Sequence, residues 1–365
     1  MKIIILSNLA GLVALVTAET CHAQYTYSTV DFPGASATLF SAIDGTNMVG
    51  SYADASGQNH SFFYNGNAWT TLDDPLAATS GEPWYGTFAT GISGSNIVGF
   101  YYDSSGSSHG FLYDGNDWTD LDAGATPWPV QTYAQAYGIS GNNIVGVYDD
   151  NIATHGFLYT AGSWRTLDDP LAKYNTIPVG ISGSNIVGSY EDSSPSIHKF
   201  FYNGSTWMIL GGALASASIT GVAGNNILGY LTGADKQVHG FIYNGVTLTT
   251  LDHPLAGTNR VFGNMIGTRV AGMSGNTVVG SYDDTNGVTH GFIANLQPFQ
   301  LSIMQTGNVA TVAWPYSVVG WSLFQNADLS TTNWTLSVGV SNDGTNNFIR
   351  ISAKPGSLFF RLSQQ

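Results

Sequence analysis

One unit is written six times along this 365-residue chain, and its length and turn chemistry restrict the possible folds more than any other feature. In its second copy the unit reads Asn96-Ile-Val-Gly-Phe-Tyr-Tyr-Asp103, a short loop, His109-Gly-Phe-Leu-Tyr113, a turn at Asp114-Gly115, and Trp118-Thr-Asp-Leu-Asp122. The phrase recurs at 47–73, 143–168 and 185–210, more loosely at 226–252, and in part from 277 to 294. The aligned histidines are His60, His109, His155, His198, His239 and His290. Their spacing of 41 to 51 residues is that of a four-stranded propeller blade. Turn signals divide each copy into four short strands, a to d: a ends at Gly91-Ile92-Ser93, b runs from Ile97 to Tyr102, c begins at His109 and d at Trp118.

Strand a carries a small residue at one recurring place, Ala42, Gly91, Gly138, Gly180, Gly221 and Gly272. The innermost strands of a propeller crowd around its axis, where a side chain would collide with its neighbour. Strand counting points the same way. The sixth unit stops after strand c, at His290-Gly-Phe-Ile-Ala294, while Tyr27 to Ala35 matches the strand d phrase Thr70 to Ala77. The N-terminus is therefore expected to supply the missing outer strand, closing a six-bladed β-propeller over 24–297 and hiding edges that an open array would expose. A β-solenoid or split barrel is the alternative. The composition agrees: 45 Gly, 19 Tyr and 18 Phe suit short strands and tight turns in an all-β fold.

Residues 1–23 read as a secretory leader, with a basic Lys2, an apolar stretch from Ile3 to Val16 and a small residue, Ala23, at the expected cut. That stretch is too short to span a membrane. The single cysteine, Cys21, falls inside the leader, so no disulfide is expected, and Thr20 before it argues against a lipid anchor. A net charge of -14 disfavours nucleic acid and anionic membrane as partners, since both require a cationic patch.

On these phrases the chain resembles the extracellular HAF-repeat family, named for a His-Ala-Phe phrase. Four copies here read His-Gly-Phe, and the others His60-Ser-Phe and His198-Lys-Phe. The resemblance covers about 25–297 and implies secretion and a propeller-like repeat, with no assigned activity. From Pro298 a new pattern begins, with short alternating strands at Leu301–Met304, Val309–Trp314, Trp321–Gln325, Trp334–Val338, Phe348–Ile351 and Leu358–Leu362. These predict a small β-sandwich over 298–365. It is similar to fibronectin-like modules at the C-termini of exported bacterial proteins, chiefly through Asn326 to Trp334.

Asp54, Asp103, Asp150, Asp192 and Asp284 each precede a repeat histidine and are expected to meet it across the b–c hairpin in a buried hydrogen bond. Because the pair repeats around the ring, the imidazoles cannot converge on one ion, and no metal is expected. The carboxylates in Asp73-Asp74 and Asp168-Asp169 read as caps of the turn leaving strand d. No phosphate loop, zinc spacing or nucleophile elbow occurs, so no cofactor is expected. The d-to-a loops depart most from the repeat, and loops on a rigid scaffold carry function. They nominate Trp84, Tyr85, Trp128, Tyr133, Tyr174, Arg260 and Phe262 as ligand-binding residues. The function expected is a secreted, non-catalytic module that binds carbohydrate or a surface protein on the d-to-a loop face. Two alternatives stand beside it: a polysaccharide-cleaving enzyme using groups among Glu82, Asp103, Lys173, Tyr174, His253 and Arg260, and a structural extracellular repeat protein.

Overall fold

A computed structural model describes residues 4–6, 25–79, 82, 85–121, 133–150, 152–194, 196–258, 266–296, 301–307, 309–315, 321–328, 330, 331, 333–343, 346–352 and 358–364. The described chain is all-β apart from one 3-10 turn, Gly212–Ser216. None of its helices is long and apolar enough to cross a membrane. Two compact units emerge, one of Tyr27–Asn295 and one of Met1–Thr26 with Leu296–Gln365.

The larger unit is built from four-stranded antiparallel sheets in the manner of a β-propeller. Strands a, b, c and d are Ala37–Asp44, Asn47–Ala53, Asn59–Tyr64 and Trp69–Thr71 in the first sheet, and Thr87–Ser93, Asn96–Tyr102, Ser108–Tyr113 and Trp118–Asp120 in the second. The third has Ala134–Ser140, Asn143–Asp149, Thr154–Thr160 and Ser163–Thr166, and the fourth Thr176–Ser182, Asn185–Glu191, Ile197–Tyr202 and Trp207–Leu210. The fifth has Ser218–Ala223, Asn226–Thr232, Val238–Tyr243 and Leu248–Leu251. In the sixth, Thr268–Ser274, Thr277–Asp283 and Thr289–Leu296 are completed on the outer side by Tyr25–Thr29. Strand a of each sheet touches strand a of the next, and that of the sixth touches that of the first.

The repeated phrase explains the repeated packing. The Phe two residues after each histidine is wholly buried, as with Phe62, Phe111 and Phe200, and in the first, second and fourth sheets the strand d Trp meets it edge-on, with centroids 4.9 Å apart for Phe111 and Trp118. That ring lies over the glycine of strand b. A Cβ on Gly99 would stand 2.8 Å from the Phe111 ring and 2.0 Å from the Phe88 carbonyl, so only hydrogen fits there. The a–b hairpins turn through two residues, with Gly94 at φ +63°, the left-handed value their first position needs.

Two features of strand a shape the axis. In every sheet the a–b register skips one residue, and these β-bulges fall at Ser41, Thr90, Tyr137, Val179, Thr220 and Ala271. A bulge re-aims its side chain, and all six line an axial cavity. The residue after each bulge is the small one. A Cβ on Gly138 would lie 3.1 Å from the Gly180 Cα, one on Gly180 2.8 Å from the Gly221 Cα, and one on Gly272 3.1 Å from the Ala42 Cα.

The second unit holds two four-stranded sheets. One pairs Ser302–Thr306, Val309–Pro315, Asn346–Ser352 and Ser341–Asn342 in that spatial order; the other pairs Ile4–Leu6, Leu358–Gln364, Trp321–Asn326 and Thr335–Leu336. Leu301, Val312, Trp314 and Ile349 pack with Leu323 and Phe360 in one apolar core.

Candidate functional site

Four repeat histidines, His60, His155, His239 and His290, have a carboxylate beside each ring nitrogen. His155 meets Asp168 through Nδ1 at 2.7 Å and Asp150 through Nε2 at 3.3 Å. His60 bonds Asp73 (2.6 Å), His239 bonds Asp252 (2.9 Å) and His290 bonds Asp31 (2.7 Å) in the same way. On the hairpin side, His109 meets Asp103 at 3.3 Å and His198 meets Asp192 at 2.9 Å. The hairpin aspartates lie one residue past strand b, and their other oxygen gathers the loop: Asp103 accepts bonds from the Ser105 and Ser107 N–H groups and the Ser105 hydroxyl. Burial pulls Asp103 upward, but Ser105, Ser107 and His109 outweigh it and bring its pKa to about 2. Partial burial would lower His155 and His239; the paired carboxylates reverse this and raise both.

This corrects the expectation of a buried Asp–His pair. The imidazoles are 21% to 34% exposed. The first Asp of the Leu-Asp-Asp phrase is the second jaw of the clamp. Only the second Asp is a turn cap, Asp74 accepting the Leu76 N–H at 2.8 Å and Asp169 that of Leu171 at 2.9 Å. With a carboxylate on each side, His60, His155, His239 and His290 link the end of strand d to the b–c hairpin. No group of three metal-binding side chains occurs among the described residues.

Of the loop residues nominated above, Trp84, Trp128, Arg260 and Phe262 lie outside the described residues. Tyr174 is 49% exposed, and its N–H bonds the Glu191 carbonyl of the fourth sheet at 3.3 Å. Tyr85 and Tyr133 belong to an aromatic cleft between the second and third sheets, which also holds four residues that the loops did not point to. Phe88 and Phe100 are cross-strand partners stacked at 5.1 Å. Tyr102 stands nearly perpendicular to both, and Tyr85 lies parallel to it at 6.0 Å. From the third sheet the bulged Tyr137 meets Phe100 edge-on at 6.2 Å. Gln135, 4% exposed, joins the two walls: its carbonyl accepts the Tyr137 hydroxyl and its amide reaches the Tyr102 hydroxyl at 3.5 Å. Burial and then Tyr133 push the Tyr137 phenol far above its ordinary range, so it stays protonated and donates. The rings are half-buried, and the Asp149 carboxylate acts on Tyr133.

The cleft is specific to its place among the six sheets. The positions of Phe88, Phe100 and Tyr102 are filled by Leu39, Ser51 and Ala53 in the first sheet and by Ile177, Ser189 and Glu191 in the fourth. In the sixth they are Arg269, Ser281 and Asp283, where Arg269 bonds Asp283 at 2.6 Å and lies 5.7 Å over the Tyr230 ring of the fifth. The repeat conserves the faces that pack and leaves this row free to vary. Comparing the six copies for half-buried strand positions of changing residue type would have found it in the sequence.

At the other end of strand a, an axial cavity of about 430 Å3 opens at the a–b turns. Its rim is a chain of bonds from sheet to sheet. Ser93 Oγ accepts the Gly141 N–H (3.0 Å), Ser140 that of Gly183 (2.9 Å), Ser182 that of Gly224 (2.9 Å) and Ser274 that of Gly45 (3.0 Å), while Asp44 accepts that of Gly94 (2.7 Å). Ala223 occupies the sixth place and has no acceptor to offer Gly275.

No protein-family model and no curated protein matches the sequence. Among solved structures the chain is similar to a fungal lectin, the Aleuria aurantia lectin described as a six-bladed β-propeller that recognises fucose. The identity is 14% and the TM-score 0.42, over 85% of this chain and 97% of the lectin. TolB from Acinetobacter baumannii is similar at 11% identity and TM-score 0.42, over 70% and 66% of the two chains. The β-propeller domain of the Trilobed protease from Pyrococcus furiosus matches at 11% and 0.41, over 77% and 90%. No functional residue is taken from these likenesses.

Proposed function

We propose that the protein is an exported carbohydrate-binding β-propeller that holds its ligand in the cleft of Tyr85, Phe88, Phe100, Tyr102, Tyr133 and Tyr137. In this reading the six sheets are the blades of a closed ring. The contact of the sixth strand a with the first, the Ser274–Gly45 bond and the outer place of Tyr25–Thr29 support closure. Export by the leader 1–23, membership of the HAF-repeat family and a C-terminal β-sandwich of fibronectin-like type complete the reading; the core shared by the two C-terminal sheets supports the last.

The cleft itself carries the functional reading: half-buried aromatic faces beside phenol hydroxyls and the Gln135 amide. A sugar ring offers the complement, a C–H face for stacking and hydroxyls at its edge for hydrogen bonds. The test is a glycan array and soluble-polysaccharide screen on the full chain and on Phe100→Ala and Tyr102→Ala. The wild type is expected to be retained on at least one glycan class, each variant at least about fivefold more weakly, as loss of one aromatic contact requires. Retention that survives both substitutions, or release of reducing ends from the bound polysaccharide, overturns the reading.

A further inference from the structure

We infer that the axial cavity at the a–b turns is a second binding site, built for a small neutral polyhydroxylated molecule such as a monosaccharide or cyclic polyol, and distinct from the cleft, with which it shares Tyr137 alone. Its volume of about 430 Å3 lies within the range of small-ligand sites. The chemistry of its wall selects the class. The oxygens of Ser93, Ser140, Ser182 and Ser274 accept the neighbouring glycine N–H groups, and no described residue accepts their hydroxyl protons. Four donors therefore face the mouth.

Acceptors stand among them. Thr90 spends its proton on the Val98 and Ala136 carbonyls, and Thr220 on the Val270 carbonyl, which leaves their oxygens to accept. Asp44 replaces the rim serine in the first sheet. One of its carboxylate oxygens does the serine's work on Gly94 N–H, so the other is surplus to the ring. Among the described residues, no Lys, Arg or His lines the cavity.

An anion needs donors alone and meets a carboxylate here, in a chain of net charge -14. A cation would use Asp44 and the spare lone pairs of the hydroxyls but leave the four serine protons without an acceptor. A polyol gives and takes hydrogen bonds with the same groups, and so uses both halves of the rim. Asp44 then accepts from ligand hydroxyls in a charge-assisted bond, the strong kind.

The experiment is calorimetric titration of the full chain with D-glucose, D-galactose, L-arabinose and myo-inositol. The proteins compared are the wild type, Asp44→Ser and Phe100→Ala. Asp44→Ser restores the rim residue of the other sheets and keeps the bond to Gly94, so the fold survives. At least one probe is expected to bind with a dissociation constant on the order of 1 mM, the strength a dozen polar-ligand atoms support. Asp44→Ser should weaken it at least about fivefold, and Phe100→Ala should leave it unchanged. The inference is overturned if no probe binds at about 20 mM, if Asp44→Ser binds like the wild type, or if Phe100→Ala removes the binding. The last result would place the sugar in the cleft and leave the cleft reading standing.

Discussion

Three single residues show how close the repeat runs to its limits. Gly180 has the least room on the axis, since a Cβ there would sit 2.8 Å from the Gly221 Cα. Gly180→Ala must push two sheets apart, and a loss of about 1–3 kcal/mol is expected in urea unfolding; an unchanged midpoint would show that the axis is looser than drawn. Ala223 marks the opposite case, a gap in the rim. Ala223→Ser should give Gly275 N–H the acceptor that its counterparts have and raise stability by about 0.5 kcal/mol, modest because the rim is solvated. His253 stands where other repeats carry Asp74 and Asp169. It is 4% exposed and lies on Tyr282 at 3.8 Å, and its Nδ1 accepts the Leu255 N–H at 3.2 Å. Burial, then His290, lowers its pKa from 6.5 to about 4. A folded value below the unfolded one favours the neutral ring, so stability present above the unfolded value is lost as pH falls through that window. His253→Asn keeps an acceptor and does not titrate. Its melting temperature should therefore gain on the wild type between about pH 7 and 4.5, and parallel curves would remove protonation from the account.

The strand and the hairpin are joined by the histidine clamp, and the clamp was legible only by half. Asp150 lies near His155 in sequence and the pairing across the hairpin could be read directly. Asp168 lies 13 residues on, and its role follows only from the register that pairs Phe157 with Thr166 and so brings the end of strand d back to strand c. The same limit hid the cleft. Attention to loops found Tyr85 and Tyr133, whereas Phe88, Phe100, Tyr102 and Tyr137 are strand residues whose direction depends on sheet phase and on one bulge. The clamp has a pH signature of its own. His155 is raised, so its contribution is full below the unfolded value of 6.5 and is lost as pH rises through the folded one. Asp168→Asn keeps the acceptor for Gly156 N–H, bonded at 3.1 Å, and removes the charge. The stability gap between wild type and variant should be widest just below about pH 6.5 and shrink as the pH rises through the raised folded value of His155. A gap that is flat with pH would reduce the clamp to a neutral hydrogen bond.

At the scale of the molecule, strand counting carried the most information, because a repeat that lacks its fourth strand at one end and starts with a spare one at the other has few ways to satisfy its edges. The spare strand is fixed by specific bonds: Val30 N–H to the Gly291 carbonyl at 2.9 Å, Asp31 to His290 at 2.7 Å and to Gly291 N–H at 3.0 Å, and Thr29 to the Tyr282 hydroxyl at 2.8 Å. These are the clamp and ladder contacts that strand d makes within a single repeat elsewhere, here made between residues about 250 positions apart. If they close a ring, cooperativity should depend on them. A chain lacking residues up to Asp31 would bare the strand Thr289–Leu296 as an edge, and it should melt at least about 10 °C lower or self-associate through that edge. A peptide of residues 25–35 supplied in trans should restore both the transition and the monomer, since it returns the strand without the covalent link. A truncated chain that melts like the intact one would mean that the sixth sheet holds without its borrowed strand, and that the ring is not what keeps the sheets together.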